Sequence, residues 1–182
     1  PEGGVMSQKI DTLEIGDSFS FRGPNGRLEY MGDGVFNIKQ LKSQGGEIIE
    51  KKVKNVGMIA GGTGITPMIQ IIRAVLRNEN DTTKLSLLFA NKEEKDIILR
   101  DKLENPDRDF SDRFEVHYTL DKAEDGWLGF TGFIDEEMIR NTMPEPSEET
   151  LILLCGPPKM NSEAVKPALE SIGYSPDSIF NF

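Results

Sequence analysis

From residue 55 to residue 182, short apolar runs alternate with segments of helical spacing, and this alternation restricts the fold more than any other feature of the sequence. Strands are expected at residues 56–60, 84–91, 114–120, 151–155 and 178–182. Helices are expected at residues 67–76, 96–103, 135–140 and 157–172, the last with a kink at Pro167. Strands that are apolar on both faces and separated by helices predict an α/β fold with a doubly wound, five-stranded parallel sheet.

The first 54 residues follow a different pattern. A short helix is expected at residues 6–13, and residues 18–21 and 27–30 are expected to pair as a hairpin. One helix and one hairpin cannot bury a core by themselves, so residues 1–32 are predicted to be the tail of another domain. The glycines and lysines of residues 33–54 predict a linker with some structure, which leaves residues 55–182 as the main domain.

Composition and charge exclude several classes of protein. The net charge of -10 argues against nucleic-acid binding, which needs clustered Lys and Arg. The single cysteine, Cys155, rules out a disulfide scaffold and favours a reducing compartment. With one histidine besides, His117, no structural zinc site and no other metal is expected. No apolar run of about 18 residues suggests a membrane span, and no secretory signal is visible.

Glycines cluster where the first predicted strand meets the first predicted helix, in the segment GGTGITP at residues 61–67. Thr66 is expected to cap the helix and Pro67 to begin it. Glycines at the carboxyl end of a strand let backbone N–H groups approach a phosphate. A tight turn without a ligand remains an alternative, because Pro67 replaces the third glycine of the dinucleotide fingerprint and Asn91, not an acid, ends the next strand.

A second loop of unusual composition, CGPP at residues 155–158, follows the fourth predicted strand. The carboxyl ends of parallel strands meet at one edge of a sheet, so we expect Cys155 to lie near Gly62 and Gly64. Taken alone, a buried cysteine is more often inert packing. Two such loops at one edge favour a shared ligand site instead.

Six segments along almost the whole chain resemble the NADH–cytochrome b5 reductases of the ferredoxin-NADP reductase superfamily. They are GGVMS, FRGPNGRL, VGMIAGGTGITPMIQ, LLFANKEEKDIILR, YTLDKAEDGW and LILLCGPPKM. The resemblance implies that a flavin-binding β-barrel, of which residues 1–32 are the remnant, precedes a pyridine-nucleotide domain. It also implies an enzyme that needs no acid–base catalyst, so His117 is interpreted as structural.

The resemblance implies roles for residues of both parts of the chain. Cys155 would lie beside the nicotinamide, which it positions and polarises, and Thr66 would lie near the junction of flavin and nicotinamide. Asp121 would favour NADH, because a carboxylate repels the 2′-phosphate of NADPH. Further NADH contacts are implied for Gly61, Gly62, Thr63, Gly64, Pro67, Gly156, Pro157, Pro158 and Met160. FAD contacts are implied for Gly3, Gly4, Met6, Ser7 and, as the terminal aromatic residue, Phe182.

Two hypotheses remain open. The first is an NADH-dependent flavoprotein reductase that passes single electrons to a haem protein such as cytochrome b5, with FAD bound only if the barrel is supplied. The second is a non-catalytic or nucleotide-binding subunit of a larger complex. The resemblance implies an intracellular location, at the cytosolic face of a membrane such as the endoplasmic reticulum or at the mitochondrion. Lys39, Lys42, Lys51 and Lys52 would form a solvated edge or a local patch for an acidic partner.

Overall fold

The computed structural model describes residues 4–23, 25–104 and 112–182. Its strands form two sheets, one small and antiparallel, the other parallel and six-stranded. The strands are β1 (Leu28–Gly32), β2 (Val35–Lys39), β3 (Ile48–Lys52), β4 (Asn55–Gly61), β5 (Lys84–Asn91), β6 (Phe114–Leu120), β7 (Phe130–Thr131), β8 (Thr150–Cys155) and β9 (Ile179–Asn181). The helices are α1 (Val5–Asp11), α2 (Ile65–Arg77), α3 (Arg100–Leu103), α4 (Glu136–Thr142) and α5 (Lys166–Ile172).

The parallel sheet has the strand order β7-β6-β5-β4-β8-β9, which confirms the predicted fold class. All five expected strands are present, but the expected number of strands is wrong. The sixth strand, β7, consists of two residues that pair with Thr119 and Leu120 at the sheet edge. A two-residue strand is too short to produce a period in the sequence, so nothing in the pattern indicated it.

Helices cover both faces of the parallel sheet, and neighbouring residues of β4 point to opposite sides. Met58 packs in a core with Met68 and Val75 of α2. Ile59 packs in a second core, which includes Ile139 of α4 and Leu169 of α5. This alternation is the doubly wound arrangement that the sequence predicts. Within the described ranges, no helix has the length and apolar character needed to cross a bilayer.

Two predicted helices differ in detail. The segment expected to be helical at residues 96–103 is a 3₁₀ turn at Glu94–Asp96 followed by α3, because Leu99 between them has a φ of 60°. The kink expected at Pro167 takes the form of a π-helical segment, Met160–Val165, immediately before α5. Proline has no N–H to donate to the preceding turn, and a widened turn is one way in which a helix adapts to that loss.

The antiparallel sheet differs from the hairpin expected near the N-terminus. Residues 18–21 form no strand, and β1 pairs instead with β2. The turn between them, at residues 32–34, has positive φ at all three positions, which favours glycine. The segment expected as a linker, residues 33–54, therefore holds β2 and β3, and its glycines belong to tight turns. The domain boundaries at residues 32 and 54 stay a prediction.

A buried carboxylate, Asp81, joins the two sheets. Its side chain is 1% exposed and accepts hydrogen bonds from the Tyr30 hydroxyl of β1 and from the Thr83 hydroxyl, the latter at 2.6 Å. The backbone N–H groups of Asp33 and Thr83 donate to it as well. Burial alone would raise the pKa of Asp81, but these hydrogen bonds together hold that pKa below its ordinary value. Burial and the contact with Asp81 raise the pKa of Tyr30 to about 12.

Replacing Asp81 with asparagine is expected to lower the free energy of unfolding by about 1–3 kcal/mol, because an amide cannot accept all four bonds. Since the pKa of Asp81 is lower in the folded than in the unfolded chain, its stabilisation is complete above the unfolded pKa. It is lost as the pH falls through the folded pKa. Urea titrations from about pH 7 to pH 3 should show the difference between wild type and variant shrinking with acid. The exposed Asp101→Asn is the control, and an equal loss there would contradict the assignment.

Candidate functional site

A cleft of about 1080 Å³ opens at the carboxyl edge of the parallel sheet. Four neighbouring strands contribute to its lining, each through the residues at or just beyond its end. These residues include Gly61 and Gly62 at the end of β4, Ala90 and Asn91 at the end of β5, Asp121 just after β6, and Cys155 and Gly156 at the end of β8. The cleft therefore lies where a doubly wound sheet is expected to bind a ligand.

The two loops predicted to meet at this edge are in direct backbone contact. A Cβ atom added to Gly64 would lie 2.0 Å from the carbonyl oxygen of Cys155. A Cβ on Gly156 would lie 2.3 Å from the terminal methyl carbon of Met160, and one on Gly61 would lie 2.8 Å from the Met160 sulfur. The contact at Gly64 is with backbone atoms and therefore requires glycine, whereas at Gly61 and Gly156 the close neighbours are side-chain atoms of the second loop. Gly62 differs, because it has a φ of 53° and open space where a side chain would be.

The start of α2 differs from the prediction. Gly62–Gly64 forms a 3₁₀ turn that leads directly into the helix at Ile65, so Thr66 is already inside the helix and is not its N-cap. The Thr66 side chain is exposed at the cleft, and its hydroxyl donates to the Thr63 carbonyl at 3.0 Å. The prediction that Pro67 begins the helix is therefore wrong as well, because α2 begins two residues earlier, at Ile65.

Cys155 ends β8 at the cleft and is partly buried. Burial raises the pKa of its thiol above the ordinary value, so the protonated form is the stable one at neutral pH. A protonated thiol is a poor nucleophile and a weak hydrogen-bond donor. Its position and its chemistry both suit a group that contacts a ligand without reacting with it.

Asp121 lies on the opposite side of the cleft from Cys155, in the strand order β6-β5-β4-β8. Its backbone N–H donates to the Asn91 carbonyl at 3.0 Å, and Lys122 donates in the same way to Lys92 at 2.9 Å. These bonds continue the pairing of β5 with β6 beyond the strands. The Asp121 side chain is exposed, so its carboxylate is available at this end of the cleft.

The C-terminal strand β9 is tied to the loop after Cys155. The Asn161 amide donates to the Gly156 carbonyl at 3.3 Å and to the Asn181 side-chain oxygen at 3.1 Å. Arg27, just before β1, donates to the Asn181 carbonyl at 3.0 Å, and its guanidinium lies 5.0 Å from the centre of the Phe180 ring. A continuous set of contacts therefore runs from Arg27 to Gly156.

Not every residue that the sequence proposed for the site lies at the cleft. Among the described residues, Pro67, Pro158 and Phe182 are absent from its lining. Gly4, Met6 and Ser7 lie at or in α1, which has no buried residue, and they are absent from the lining as well. Gly3 lies outside the described residues. The FAD contacts of these N-terminal residues and of Phe182 stay predictions.

Several lining residues were missed by the sequence-based interpretation: Asn91, Lys92, Asp96, Ile98, Phe133, Lys159 and Glu163. Asn91 had a usable signal, since a polar residue that ends a buried strand falls at the same edge as the glycine loop. Phe133, which is 79% exposed, had none, because aromatic residues in a sequence usually indicate core.

Two family models match the chain. Residues 58–166 match the oxidoreductase NAD-binding domain, and residues 1–30 match the oxidoreductase FAD-binding domain. The first match runs from Met58, within β4, to Lys166 at the start of α5, and so includes the strand ends that form the cleft. The second covers the segment that the sequence predicted to be the tail of a flavin domain.

Curated relatives match along the entire chain. It is 53% identical over 182 residues to NADH-cytochrome b5 reductase 3 of Rattus norvegicus and 50% identical to NADH-cytochrome b5 reductase 1 of Bos taurus. The chain spans 60% and 59% of the lengths of these two relatives. Among solved structures, the cytochrome b5 reductase domain of Ulva prolifera nitrate reductase is 39% identical, with a TM-score of 0.88 over all of this chain and 67% of that one. The chain therefore belongs to the oxidoreductase NAD-binding domain family, in the branch of the ferredoxin-NADP reductase superfamily that holds the NADH–cytochrome b5 reductases.

Proposed function

We propose that this chain binds NADH in the cleft and acts as the NADH-binding part of a flavoprotein reductase. The observation that carries the proposal is the contact of Gly64 with Cys155, which joins the two loops into one wall of the cleft. NADH and FAD, when bound, would supply the redox chemistry: a hydride leaves NADH, its two electrons pass one at a time to two haem-protein molecules, and its proton is released to water. The chain's own residues bind and orient the dinucleotide and exclude water.

The size and chemistry of the cleft fit a dinucleotide. Asp121 and Cys155 are separated by three strand spacings, about 14 Å, which suits an extended ligand with two different ends. Glycine backbone and the protonated Cys155 thiol form one end, where the flat, uncharged edge of a nicotinamide amide can be accommodated. Exposed Phe133 and Ile98 supply apolar surface elsewhere in the lining, as an adenine ring requires.

Charge in the cleft supports NADH over NADPH. Two lysines, Lys92 and Lys159, line the cleft together with three carboxylates, Asp96, Asp121 and Glu163. An additional 2′-phosphate near Asp121 would meet a like charge, whereas a free ribose hydroxyl can donate to that carboxylate. Asp121 is therefore assigned the role of recognising the ribose.

Some of the FAD contacts are assigned to α1, outside the cleft lining. Val5, Met6 and Ile10 of α1 are more than half exposed, so the helix offers an apolar surface to a preceding flavin barrel. Gly4 and Ser7 would then contact FAD, in line with the family match over residues 1–30. The acceptor is a haem protein such as cytochrome b5, and the proposed location is an intracellular membrane, at its cytosolic face or in the mitochondrion. The non-catalytic alternative is not favoured, because the cleft and both loops are intact.

The experiment that tests the function is direct. Titration of the purified protein with NADH should show binding, and NADH should reduce a dye acceptor when FAD is bound. Asp121→Ala is expected to lower the preference for NADH over NADPH by about tenfold, because the repulsion is removed. Asp125→Ala, an exposed carboxylate outside the cleft lining, is the matched control. Failure to bind either nucleotide would refute the function, and an unchanged preference in Asp121→Ala would refute only the role of that residue.

A further inference from the structure

Asn91 is a buried polar side chain to which the proposed reaction gives no role. It ends β5, lines the cleft and is 6% exposed. Within the part of the chain that the structure describes, neither its Nδ2 nor its Oδ1 atom has a hydrogen-bond partner. A buried amide without partners destabilises the folded chain, and most buried polar groups in proteins are paired. An unpaired amide beneath a ligand cleft indicates a partner that arrives with the ligand.

The position of Asn91 along the sheet edge identifies that partner. In the strand order β6-β5-β4-β8, Asn91 lies between Asp121 on one side and Gly61 and Cys155 on the other. The residue before it, Ala90, is paired in register with Gly61. If the ribose lies at Asp121 and the nicotinamide at Cys155, the middle of the dinucleotide crosses the ends of β5 and β4. The middle of a dinucleotide is its diphosphate.

The backbone of Asn91 is fixed while its side chain keeps some freedom. Its carbonyl accepts the Asp121 N–H at 3.0 Å, which holds the residue in place at the edge. Both amide atoms are shielded from water and bonded to nothing among the described residues, so turning the amide toward the cleft breaks no hydrogen bond. The terminal torsion of asparagine has broad minima, and such a turn costs little.

We propose that Asn91 binds the central diphosphate of the dinucleotide through its side-chain N–H groups and thereby fixes the ligand between Asp121 and Cys155. This inference rests on the proposed NADH binding. Asn91 supplies a neutral, directional donor, while the neighbouring Lys92, which is exposed, supplies positive charge at the same place in the lining. The assignment gives a reason for an amide at a buried position where an apolar side chain would destabilise the folded chain less.

The test exploits the difference between a ligand-binding and a structural asparagine. Asn91→Leu, which has a similar branched shape, is expected to keep or raise the melting temperature, because an unpaired polar group is removed. The same variant is expected to weaken NADH binding about 10- to 100-fold. Thr142→Val is the matched control: Thr142 is buried and paired with the Met138 carbonyl, away from the cleft. It should lower the melting temperature and leave the NADH dissociation constant within about twofold.

A second variant and a second ligand locate the contact. Asn91→Asp preserves the shape but adds a negative charge facing the diphosphate, and it should weaken binding more than Asn91→Leu does. ADP-ribose keeps the diphosphate and lacks the nicotinamide, so both variants should weaken it by the same factor as NADH. Adenosine, which has no phosphate, should compete equally well with wild type and variants.

The outcomes separate this inference from the proposed function. If wild type binds neither NADH nor ADP-ribose, the proposed function and this inference are both refuted. If wild type binds them and Asn91→Leu binds equally well, or is destabilised like Thr142→Val without loss of affinity, Asn91 is structural and the inference alone is overturned. Loss of NADH affinity without loss of ADP-ribose affinity also overturns it. If Asn91→Leu does not fold, titrations of Asn91→Asp with NADH and ADP-ribose distinguish the same outcomes.

Discussion

Replacing Gly64 with alanine is expected to abolish NADH binding and to lower the free energy of unfolding by at least about 3 kcal/mol. The new Cβ would lie 2.0 Å from the Cys155 carbonyl oxygen and 2.6 Å from its carbonyl carbon. Both are backbone atoms at the end of a central strand, so neither can rotate away as a side chain would. The two loops must separate, and the wall of the cleft separates with them. Urea unfolding and NADH titration measure the two effects.

The matched control is Gly34→Ala, in the turn between β1 and β2. There the added Cβ would lie 2.0 Å from the Val53 carbonyl oxygen, at a φ of 73°, and Gly34 is outside the cleft lining. The loss of stability should equal or exceed that of Gly64→Ala, because the left-handed backbone adds about 1 kcal/mol of strain. NADH affinity of the folded fraction should be retained. If both variants lost affinity together, the effect of Gly64 would be one of stability alone.

Cys155→Ala is expected to slow hydride transfer to bound FAD by about 10- to 100-fold while changing the NADH dissociation constant less than about threefold. The thiol is assigned to the alignment of the nicotinamide, and alignment affects the rate of transfer far more than the affinity. Cys155→Ser, which keeps a small hydrogen-bonding group, should recover part of the rate. Rapid-mixing measurement of flavin reduction at saturating NADH separates rate from binding.

The same residue predicts a simple pH dependence. Burial raises the pKa of the thiol, so Cys155 stays protonated through neutral pH and the rate should show no inflection at the ordinary thiol pKa. A rate that rises with deprotonation in that range would assign a nucleophilic role to Cys155. Equal losses of rate and affinity in Cys155→Ala would refute the role in alignment.

The parts of the fold that could be predicted are those in which apolar side chains repeat. The strands at β4, β5, β6, β8 and β9 followed from apolar runs, and the meeting of Gly64 with Cys155 followed from the parallel topology. The turn at residues 32–34 was missed because glycine-rich sequence indicates a loop but not the pairing of the strands beside it. The prediction of an N-cap at Thr66 was wrong because capping preferences do not indicate that a 3₁₀ turn, Gly62–Gly64, precedes the helix.

The site was predictable where chemistry and topology coincided. Cys155 ends a strand, and the ends of parallel strands converge, so its presence at the cleft could be expected from topology. Asp121 was expected there only because of the family resemblance. The structural reason for the glycines could not be predicted from the sequence. Their spacing suggested room for a phosphate. In the structure, the space beside Gly61, Gly64 and Gly156 is filled by atoms of the second loop, and a sequence does not distinguish these two causes. The burial of Asn91 without partners is likewise a property of packing that no spacing of residues reveals.

The contacts from Arg27 through Asn181 and Asn161 to Gly156 have a practical consequence for anyone who handles this protein. The Phe182 backbone N–H donates to the Leu154 carbonyl at 3.1 Å, so this residue is hydrogen-bonded to the strand that ends in Cys155. A force or a bulky label applied at Phe182 would therefore act directly on these hydrogen bonds and, through them, on the loop that contains Cys155.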